Sequence, residues 1–210
     1  MTKSKITTVI FDMDGVISDT QKYHALAESM LLEEYGINMK PDAITKRFAG
    51  VSDDEMFKII FTENKKTLPN IELITKKKWN LMTKLINNVE PIDGAVELIT
   101  WLYSNNYKLA VASSSPHVFI RKVLNALDVG KYFGSLVSAD DVKNGKPAPD
   151  IFLKACNDLE SQANESVVIE DGQSGITGAI TAGMKTIAYN LDSNTADFRI
   201  SNMIDAKKYM

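Results

Sequence analysis

The stretch ITTVIFDMDGVISDT, residues 6–20, changes from apolar to acidic within a few positions. Its first part, ITTVIF, is apolar and β-branched, which is typical of a buried β-strand. Asp12 and Asp14 follow directly and are separated by one residue. Carboxylates at the end of a buried strand are costly unless a cation or another partner compensates their charge. The stretch therefore predicts a buried strand that ends at a site for a cation, a reaction, or both.

Further apolar stretches follow along the chain at regular intervals. Together with TTVIF they are predicted to be strands, at 7–11, 108–113, 135–139, 166–170 and 185–189. They are apolar throughout, which favours strands that are covered on both faces. Amphipathic stretches between them are predicted to be helices, at 94–106, 116–127, 149–159 and 173–184. This alternation predicts an α/β fold with a doubly wound parallel sheet.

The alternation is interrupted after the first strand, where only helical patterns occur for most of the next stretch. Roughly a hundred residues separate the first two predicted strands, far more than one crossover helix needs. We therefore expect an α-helical domain at 19–88 that is inserted into an α/β core formed by 1–18 and 89–210. The hinges are expected near Gly15–Thr20 and Asn87–Asp93. The alternative is that these helices simply pack on the sheet.

Composition and charge are those of an ordinary globular protein. The 210 residues are 44% hydrophobic and carry a formal net charge of −3. The lack of a broad basic surface argues against a nucleic-acid partner. The sequence has no apolar run of membrane-spanning length and no signal-peptide-like start. Cys156 is the single cysteine and cannot form an internal disulfide, which fits a reducing compartment, so we expect a cytoplasmic protein. We also expect a monomer that has no membrane partner.

Polar side chains follow four of the predicted strands at their carboxyl ends. They are Asp12 and Asp14 after the first strand, Ser113 and Ser114 after the second, Lys146 after the third, and Glu170 and Asp171 after the fourth. Because parallel strands end at one edge of the sheet, we expect these groups to converge. Their carboxylates can lie close together only around a cation, and such oxygen ligands suit Mg²⁺. Each group alone could be a turn or a helix cap, but their order favours a functional site.

The order of four motifs, DMDGV, VASSS, GKPAPDIF and VIEDGQSGI, resembles that of the haloacid dehalogenase superfamily. The resemblance is closest to its β-phosphoglucomutase-like phosphatases, in which a helical cap is inserted after the first strand. It covers nearly the whole chain and implies that 1–18 and 89–210 form a catalytic haloacid dehalogenase-like Rossmannoid core and that 19–88 form its helical cap. It also implies a magnesium-dependent phosphatase that hydrolyses a small phosphorylated metabolite, with a sugar phosphate as the expected substrate, through an aspartyl-phosphate intermediate.

The resemblance implies a role for each core residue. Asp12 would be the nucleophile, and Asp14 would be the general acid and base. Ser113 and Lys146 would hold the phosphoryl oxygens. The implied magnesium ligands are the side chains of Asp12 and Asp171, the backbone carbonyl of Asp14 and, through water, Glu170. A cis bond between Lys146 and Pro147 is also implied, although trans bonds are more common.

Substrate choice in this family belongs to the cap. The substrate-binding candidates are Ser114 of the serine loop and, in the cap, His24, Arg47, Ser52 and Lys78. Each cap residue could equally be an ordinary helix or loop residue. The segment GVSDD, 50–54, resembles a cap loop of the mutase that reads Gly-Val-Ser-Arg, but Asp53 stands where the arginine would bind the second phosphate. We therefore favour a phosphatase over a mutase, with Arg47 as the residue that could replace the arginine.

Three alternative functions differ in what they require of these residues. A β-phosphoglucomutase, which is an isomerase, would use the same core residues and is the second hypothesis. A hydrolytic dehalogenase of the same fold would need Asp12 but has no use for a second acid and base residue, so Asp14 argues against it. A non-catalytic binding module is disfavoured because the whole set of polar residues is present.

Overall fold

One parallel β-sheet organises the larger part of the chain in the computed structural model, which describes residues 5–48 and 51–210. Within these ranges the sheet has six strands in the order β3-β2-β1-β4-β5-β6, and every neighbouring pair runs parallel. The strands are β1 (Thr8–Phe11), β2 (Lys108–Ser113), β3 (Ser135–Ser138), β4 (Ser166–Glu170), β5 (Lys185–Tyr189) and β6 (Phe198–Ile200). The predicted doubly wound α/β fold is therefore confirmed.

The sheet contains one strand, β6, that the sequence pattern did not predict. It extends the sheet beyond β5 and pairs with it in parallel. Its central residue, Arg199, is exposed, and Phe198 is only partly buried. Such a short edge strand is not covered on both faces, so it lacks the continuous apolar run that reveals the other strands.

The described ranges contain eight α-helices. They are α1 (Gln21–Glu34), α2 (Pro41–Phe48), α3 (Asp53–Glu63), α4 (Ile71–Leu85), α5 (Ala95–Ser104), α6 (His117–Ala126), α7 (Asp150–Asp158) and α8 (Gln173–Thr181). Helices α5 to α8 lie in the stretches predicted for the core. Helix α2 was not predicted, because it buries just Ile44 and Phe48 and so shows little of a helical period. Of the helices described, none is long and apolar enough to cross a bilayer.

The sheet is buried on both faces. Successive side chains of a strand point to opposite faces, and Val9, Ile10 and Phe11 of β1 are all fully buried. Helix α7 packs against β1, β2 and β3, and α8 packs against β4 and β5. The apolar cluster that includes Ile10 of β1 also includes Phe152 of α7. This two-sided burial explains why the apolar residues of β1 follow one another without alternation.

The strand order reverses at β1. From β1 the chain runs outward through β2 and β3, and it then returns to the other side of β1 to form β4 and β5. In open α/β sheets such a reversal leaves a crevice beyond the carboxyl ends of the central strands. Asp12 follows β1 directly, and its amide donates to the carbonyl of Ile169 in β4 at 3.0 Å. The topology therefore brings the DMD segment to the expected place of a ligand site.

Contacts between residues divide the chain into two compact units. Unit 1 comprises Met1–Asp19 and Asn88–Met210, and unit 2 comprises Thr20–Asn87. Unit 1 contains the sheet described above. The assignment of these units to a catalytic core and a cap stays a prediction.

The two segments of unit 1 that border unit 2 run side by side. The amide of Asp19 donates to the carbonyl of Glu90 at 2.9 Å, and the amide of Ile92 donates to the carbonyl of Ile17 at 3.0 Å. Between these two hydrogen bonds, Ser18 forms an antiparallel β-bridge with Pro91. The segment that leaves unit 1 and the segment that returns to it are thus joined by a short ladder of backbone hydrogen bonds, which begins just after the DMDGV motif.

Unit 2 has an apolar core of its own. Its described helices are α1 to α4, and α1 packs against both α2 and α4. The buried residues of this core are Leu31, Leu32, Ile37, Ile44, Phe48, Met56, Phe57, Ile60, Phe61 and Ile74. Gly50, the first residue of the GVSDD segment, lies outside the described residues. Asp53 of the same segment is the first residue of α3.

Candidate active site

The chain turns sharply after the two aspartates of the DMDGV motif. Gly15 has a φ of +84°, a conformation that residues other than glycine rarely adopt. Its amide donates to the carbonyl of Ser18 at 2.8 Å, which closes the turn. A Cβ atom at Gly15 would overlap the carboxylate of Asp171. Glycine is therefore required here both by the backbone conformation and by the close approach of that carboxylate.

The ammonium group of Lys146 is buried at the centre of the site. Its Nζ donates to Oδ1 of Asp12 at 2.5 Å, to Oε1 of Glu170 at 2.6 Å and to the carbonyl of Ala112 at 3.0 Å. An ammonium group has three N–H donors, and these contacts use all of them. The bond between Lys146 and Pro147 is cis, as the resemblance implies. The structure thus joins Asp12 and Lys146, which lie 134 positions apart in the sequence.

Three carboxylates meet beside this lysine. Asp12, Glu170 and Asp171 each contribute one oxygen atom to a group in which all three oxygens lie within 4.8 Å of one another. Two of these carboxylates are buried and that of Asp171 is partly buried; carboxylates this close suit a cation that prefers oxygen ligands, and the donor set fits magnesium. The three side chains are those that the sequence predicted as ligands. Ligation by the backbone carbonyl of Asp14 stays a prediction.

The charged groups of the site shift one another's ionisation. Burial raises the pKa of Asp12 well above its usual value, and the positive charge of Lys146 opposes this only in part. Burial and then the negative charge of Glu170 raise the pKa of Asp171 to about 7. Burial lowers the pKa of Lys146, but its two carboxylate partners outweigh burial and the pKa rises above its usual value. A cation that neutralised these carboxylates would therefore be favoured on electrostatic grounds.

Residues between β4 and α8 fix the position of the Glu170 carboxylate. The Oε2 atom of this residue accepts a hydrogen bond from the amide of Gly172 at 2.8 Å. Gly175 lies in the first turn of α8, and a Cβ atom there would overlap the Glu170 carboxylate. Gly175 thus leaves the space in which this carboxylate is buried.

The serine loop after β2 contacts Asp14. The hydroxyl of Ser113 lies 3.4 Å from Oδ2 of Asp14, and the hydroxyl of Ser115 donates to the same oxygen at 2.7 Å. Ser113 and Ser115 are buried, whereas Ser114 between them is exposed. Ser115 was not among the predicted site residues, because three consecutive serines do not reveal which hydroxyl turns inward.

Within unit 2, Lys78 forms a buried ion cluster. The Lys78 side chain is 1% exposed, and its Nζ lies 2.6 Å from Oε1 of Glu28 and 2.6 Å from Oδ1 of Asp53. The Glu28 side chain is 8% exposed, and that of Asp53 is 29% exposed. Burial lowers the pKa of Lys78, but Asp53 and Glu28 outweigh burial and the pKa rises above its usual value. Asp53, at the position of the mutase arginine, is therefore engaged by a lysine of the same unit.

The other candidates of unit 2 lie on separate elements. His24 lies in α1, where its ring packs edge-on against Trp79 with 5.5 Å between the ring centroids. Arg47 lies in the last turn of α2 and forms an ion pair with Glu63. Ser52 caps α3, and its hydroxyl accepts from a backbone amide of the first turn at 3.4 Å. Each residue thus has a structural contact of its own, and the substrate-binding roles stay predictions.

One protein family matches most of the chain. Residues 9–189 match the haloacid dehalogenase-like hydrolase family. The chain belongs to this family. The match runs from β1 to β5, so it includes unit 2 and all three residues of the acidic cluster.

Relatives of this haloacid dehalogenase-like hydrolase have names of two kinds. A phosphorylated carbohydrates phosphatase of Thermotoga maritima is 35% identical over 182 residues, which are 85% of this chain and 82% of the relative. A beta-phosphoglucomutase of Bacillus subtilis is 34% identical over 183 residues, which are 84% of this chain and 80% of the relative. The crystal structure of a beta-phosphoglucomutase from Clostridium difficile matches with a TM-score of 0.80 at 28% identity, over 94% of this chain and 92% of that one. The predicted resemblance is confirmed.

The structure of this hydrolase gathers the predicted core residues at the carboxyl edge of the sheet. They are Asp12, Asp14, Ser113, Lys146, Glu170 and Asp171. In unit 2, sequence reasoning missed the buried Glu28. A signal for it exists, because Ala25, Glu28 and Leu32 follow the buried period of α1, so an acid stands where that period calls for an apolar residue.

Proposed function

We propose that the protein is a magnesium-dependent phosphomonoester hydrolase that acts on a small phosphorylated metabolite through an aspartyl-phosphate intermediate. The observation that carries the proposal is the contact between Asp12 and Lys146 at 2.5 Å, with Asp14 two positions further along the chain. A carboxylate can attack a phosphate dianion only if a positive charge reduces their repulsion. A second carboxylate is then needed to move protons. The core of unit 1 supplies all of these groups.

In the first step, Asp12 is the nucleophile. A carboxylate oxygen of Asp12 forms a bond to phosphorus while the bond from phosphorus to the ester oxygen breaks. The departing oxygen takes a proton from Asp14 and leaves as an alcohol. The products of this step are the free alcohol, an aspartyl-phosphate at Asp12 and an ionised Asp14.

In the second step, water replaces Asp12. The ionised Asp14 removes a proton from a water molecule, whose oxygen attacks the phosphorus of the aspartyl-phosphate. The bond between phosphorus and Asp12 breaks and inorganic phosphate is released. Asp12 is again a carboxylate and Asp14 is again protonated, so the site is ready for the next turnover.

In this proposal Ser113 is assigned to the phosphoryl oxygens, and Lys146 acts on them through its charge, because its three N–H donors are already used within the protein. Lys146 is buried and already contacts Asp12, so its charge acts where the nucleophile and the phosphate repel each other. Ser113 is buried at the end of β2, and its hydroxyl lies 3.4 Å from Oδ2 of Asp14. Ser114, which is exposed on the same loop, is assigned to the substrate.

Magnesium would be held by the acidic cluster. The residues that would bind it are Asp12 and Asp171, the backbone carbonyl of Asp14 and, through water, Glu170. The chemistry that the ion supplies when bound is charge neutralisation between the nucleophile and the phosphate. The three clustered carboxylate oxygens and the raised pKa values of Asp12 and Asp171 support this assignment.

A sugar phosphate is the proposed substrate, and unit 2 is assigned the selection of the group that carries the phosphate. The name of the relative from Thermotoga maritima supports this class of substrate. The cluster of Lys78 with Glu28 and Asp53 combines one positive with two negative charges. It therefore offers no net positive charge to a second phosphate, which supports a substrate with a single phosphate group.

The second candidate function is that of a β-phosphoglucomutase. It is favoured by the relative from Bacillus subtilis, which is nearly as similar to this chain as the phosphatase. A mutase must bind a bisphosphate at both ends, and arginine suits this task because it forms bidentate hydrogen bonds to phosphate. Asp53 stands at the position of that arginine, so we rank the phosphatase first.

The proposal is tested by a phosphate-release screen over a panel of phosphomonoesters, with magnesium or with an excess of EDTA. We expect magnesium-dependent release from sugar phosphates. Activity that is unchanged in EDTA would contradict the metal assignment. β-Glucose 1-phosphate is included in the panel, because a mutase converts it to glucose 6-phosphate faster than it releases phosphate.

A further inference from the structure

One buried hydroxyl of unit 1 has no part in the steps above. Ser115 lies between β2 and α6, and it is 1% exposed. A buried hydroxyl is costly unless it forms a hydrogen bond. The hydroxyl of Ser115 donates to Oδ2 of Asp14 at 2.7 Å. It therefore contacts the very side chain to which the proposed function assigns proton transfer.

The neighbouring Ser113 contacts the same oxygen much less closely. Its hydroxyl lies 3.4 Å from Oδ2 of Asp14, which is beyond the usual range of about 2.5–3.0 Å for a hydrogen bond between two oxygens. The hydroxyl of Ser113 also accepts a hydrogen bond from the amide of Ser115 at 3.1 Å. Of these two serines, Ser115 therefore holds Asp14 and Ser113 supports the loop.

Ser115 is itself anchored to the next strand. Its carbonyl accepts a hydrogen bond from the hydroxyl of Ser138, at the end of β3, at 2.8 Å. Ser138 is fully buried, and its amide donates to Oδ2 of Asp141 at 2.9 Å. The hydroxyl that contacts Asp14 thus sits on backbone that is tied to β3 as well as to β2.

We propose that Ser115 is a positioning residue that holds the carboxyl group of Asp14 in place for proton transfer. This inference rests on the proposed acid and base role of Asp14. A serine hydroxyl suits the task because it can donate to a carboxylate and, after rotation, accept from a carboxylic acid. It can therefore remain a partner of Asp14 in both protonation states that the two steps require. A misplaced acid transfers its proton less efficiently, because general acid catalysis depends on geometry.

The test compares two substrates that differ in how much they need an acid. Phenyl phosphate releases the more basic leaving group and depends on proton donation, whereas p-nitrophenyl phosphate depends on it much less. The measured quantity is the ratio of kcat/KM for p-nitrophenyl phosphate to kcat/KM for phenyl phosphate. We expect Ser115→Ala to raise this ratio about tenfold, the effect expected when a hydrogen bond to a charged group is lost from the transition state.

Two further variants separate positioning from general damage. Ser115→Thr keeps the hydroxyl, and we expect it to restore the wild-type ratio. Ser166→Ala removes another buried hydroxyl, at the start of β4 and away from Asp14, and we expect it to leave the ratio unchanged. If Ser115→Ala does not fold, Ser115→Cys takes its place, because the thiol is of similar size but a weak donor.

Asp14→Ala shows whether the proposed function or this inference has failed. If Asp14→Ala leaves the ratio unchanged, the acid role of Asp14 is wrong and the inference fails with it. If Asp14→Ala raises the ratio but Ser115→Ala lowers both rates equally, the inference alone is overturned. A raised ratio in Ser115→Ala that Ser115→Thr reverses, and that is absent when Asp14 has already been replaced, supports the positioning role.

Discussion

Oδ1 of Asp53 lies 2.6 Å from Nζ of Lys78, and Glu28 contacts the same ammonium group at 2.6 Å. The sequence alone suggested that the carboxylates of Asp53 and Asp54 would repel a second phosphate. The structure changes this reasoning, because the Asp53 carboxylate is paired and the lysine that could attract a phosphate is engaged by two acids. The cluster as a whole carries a net negative charge, so the exclusion of a second phosphate stays a prediction, now assigned to the whole cluster.

Replacing Asp53 by arginine should tighten the binding of a bisphosphate. The change removes one acidic partner of Lys78 and adds a group that forms bidentate hydrogen bonds to phosphate. We expect the inhibition constant of glucose 1,6-bisphosphate to fall by about tenfold or more, since a charge-assisted hydrogen bond contributes roughly 1.5–3 kcal/mol. The constant is measured for wild type and Asp53→Arg at matched magnesium and salt.

Asp53→Asn is the matched control for this comparison. It removes the negative charge but adds no phosphate donor of comparable strength, so we expect a smaller decrease of the inhibition constant. Tight bisphosphate binding by the wild type, with interconversion of glucose phosphates faster than phosphate release, would contradict the phosphatase assignment. Arg47 would then be the first residue to replace.

Loss of Lys78 should destabilise unit 2. Lys78→Met leaves Glu28, whose side chain is 8% exposed, as a buried charge without its partner. Breaking a buried ion pair on one side costs about 3–5 kcal/mol, so we expect the free energy of unfolding to fall by about that much. The double variant Lys78→Met/Glu28→Gln removes the uncompensated charge and should recover part of the loss. Urea unfolding of the three proteins measures these differences, and a Lys78→Met variant as stable as wild type would refute the prediction.

The fold was largely predictable because the sheet is covered on both faces. The strands from β1 to β5 are buried at nearly every position, so their apolar residues follow one another without the alternation of a half-covered sheet. β6 and α2 escaped detection because Arg199 interrupts the first and the second buries just Ile44 and Phe48. Patterns of burial thus predict central elements well and elements at an edge poorly.

The candidate site was predictable wherever a residue follows directly from a strand end. Asp12 and Lys146 were expected at the same edge of the sheet, but their contact at 2.5 Å depends on the three-dimensional path of a distant loop. The pairing of Lys78 with Glu28 depends on how α1 packs against α4, for which the sequence contains no register signal. The inward turn of Ser115 is likewise a property of the folded loop.

The metal-free protein should become less stable as the pH rises toward neutrality. The folded-state pKa of Asp171, about 7, lies above the value of about 3.9 for an aspartate in an unfolded chain. Between these values the native state keeps a proton that the unfolded state has lost. The free energy of unfolding in EDTA should therefore fall with rising pH, by at most about 1.4 kcal/mol per pH unit from this residue.

Asp171→Asn isolates this contribution, because the amide does not titrate. We expect its free energy of unfolding to depend less on pH than that of wild type between about pH 5 and pH 7. Saturating magnesium should stabilise wild type in the same range, since it binds the folded cluster and not the unfolded chain. Identical pH slopes for the two proteins in EDTA would show that Asp171 is not perturbed as described.

The attack of Asp12 on phosphorus is tested most directly by mapping the phosphorylated residue. Wild-type protein is mixed with a phosphomonoester that it hydrolyses and is quenched with acid within one turnover. Mass spectrometry of the peptides then locates the phosphate, with Asp12→Asn as the matched control. The account predicts a phosphate on Asp12 in wild type and neither a phosphorylated peptide nor phosphate release in Asp12→Asn. Sustained phosphate release by Asp12→Asn, or a phosphate on a different residue, would contradict it.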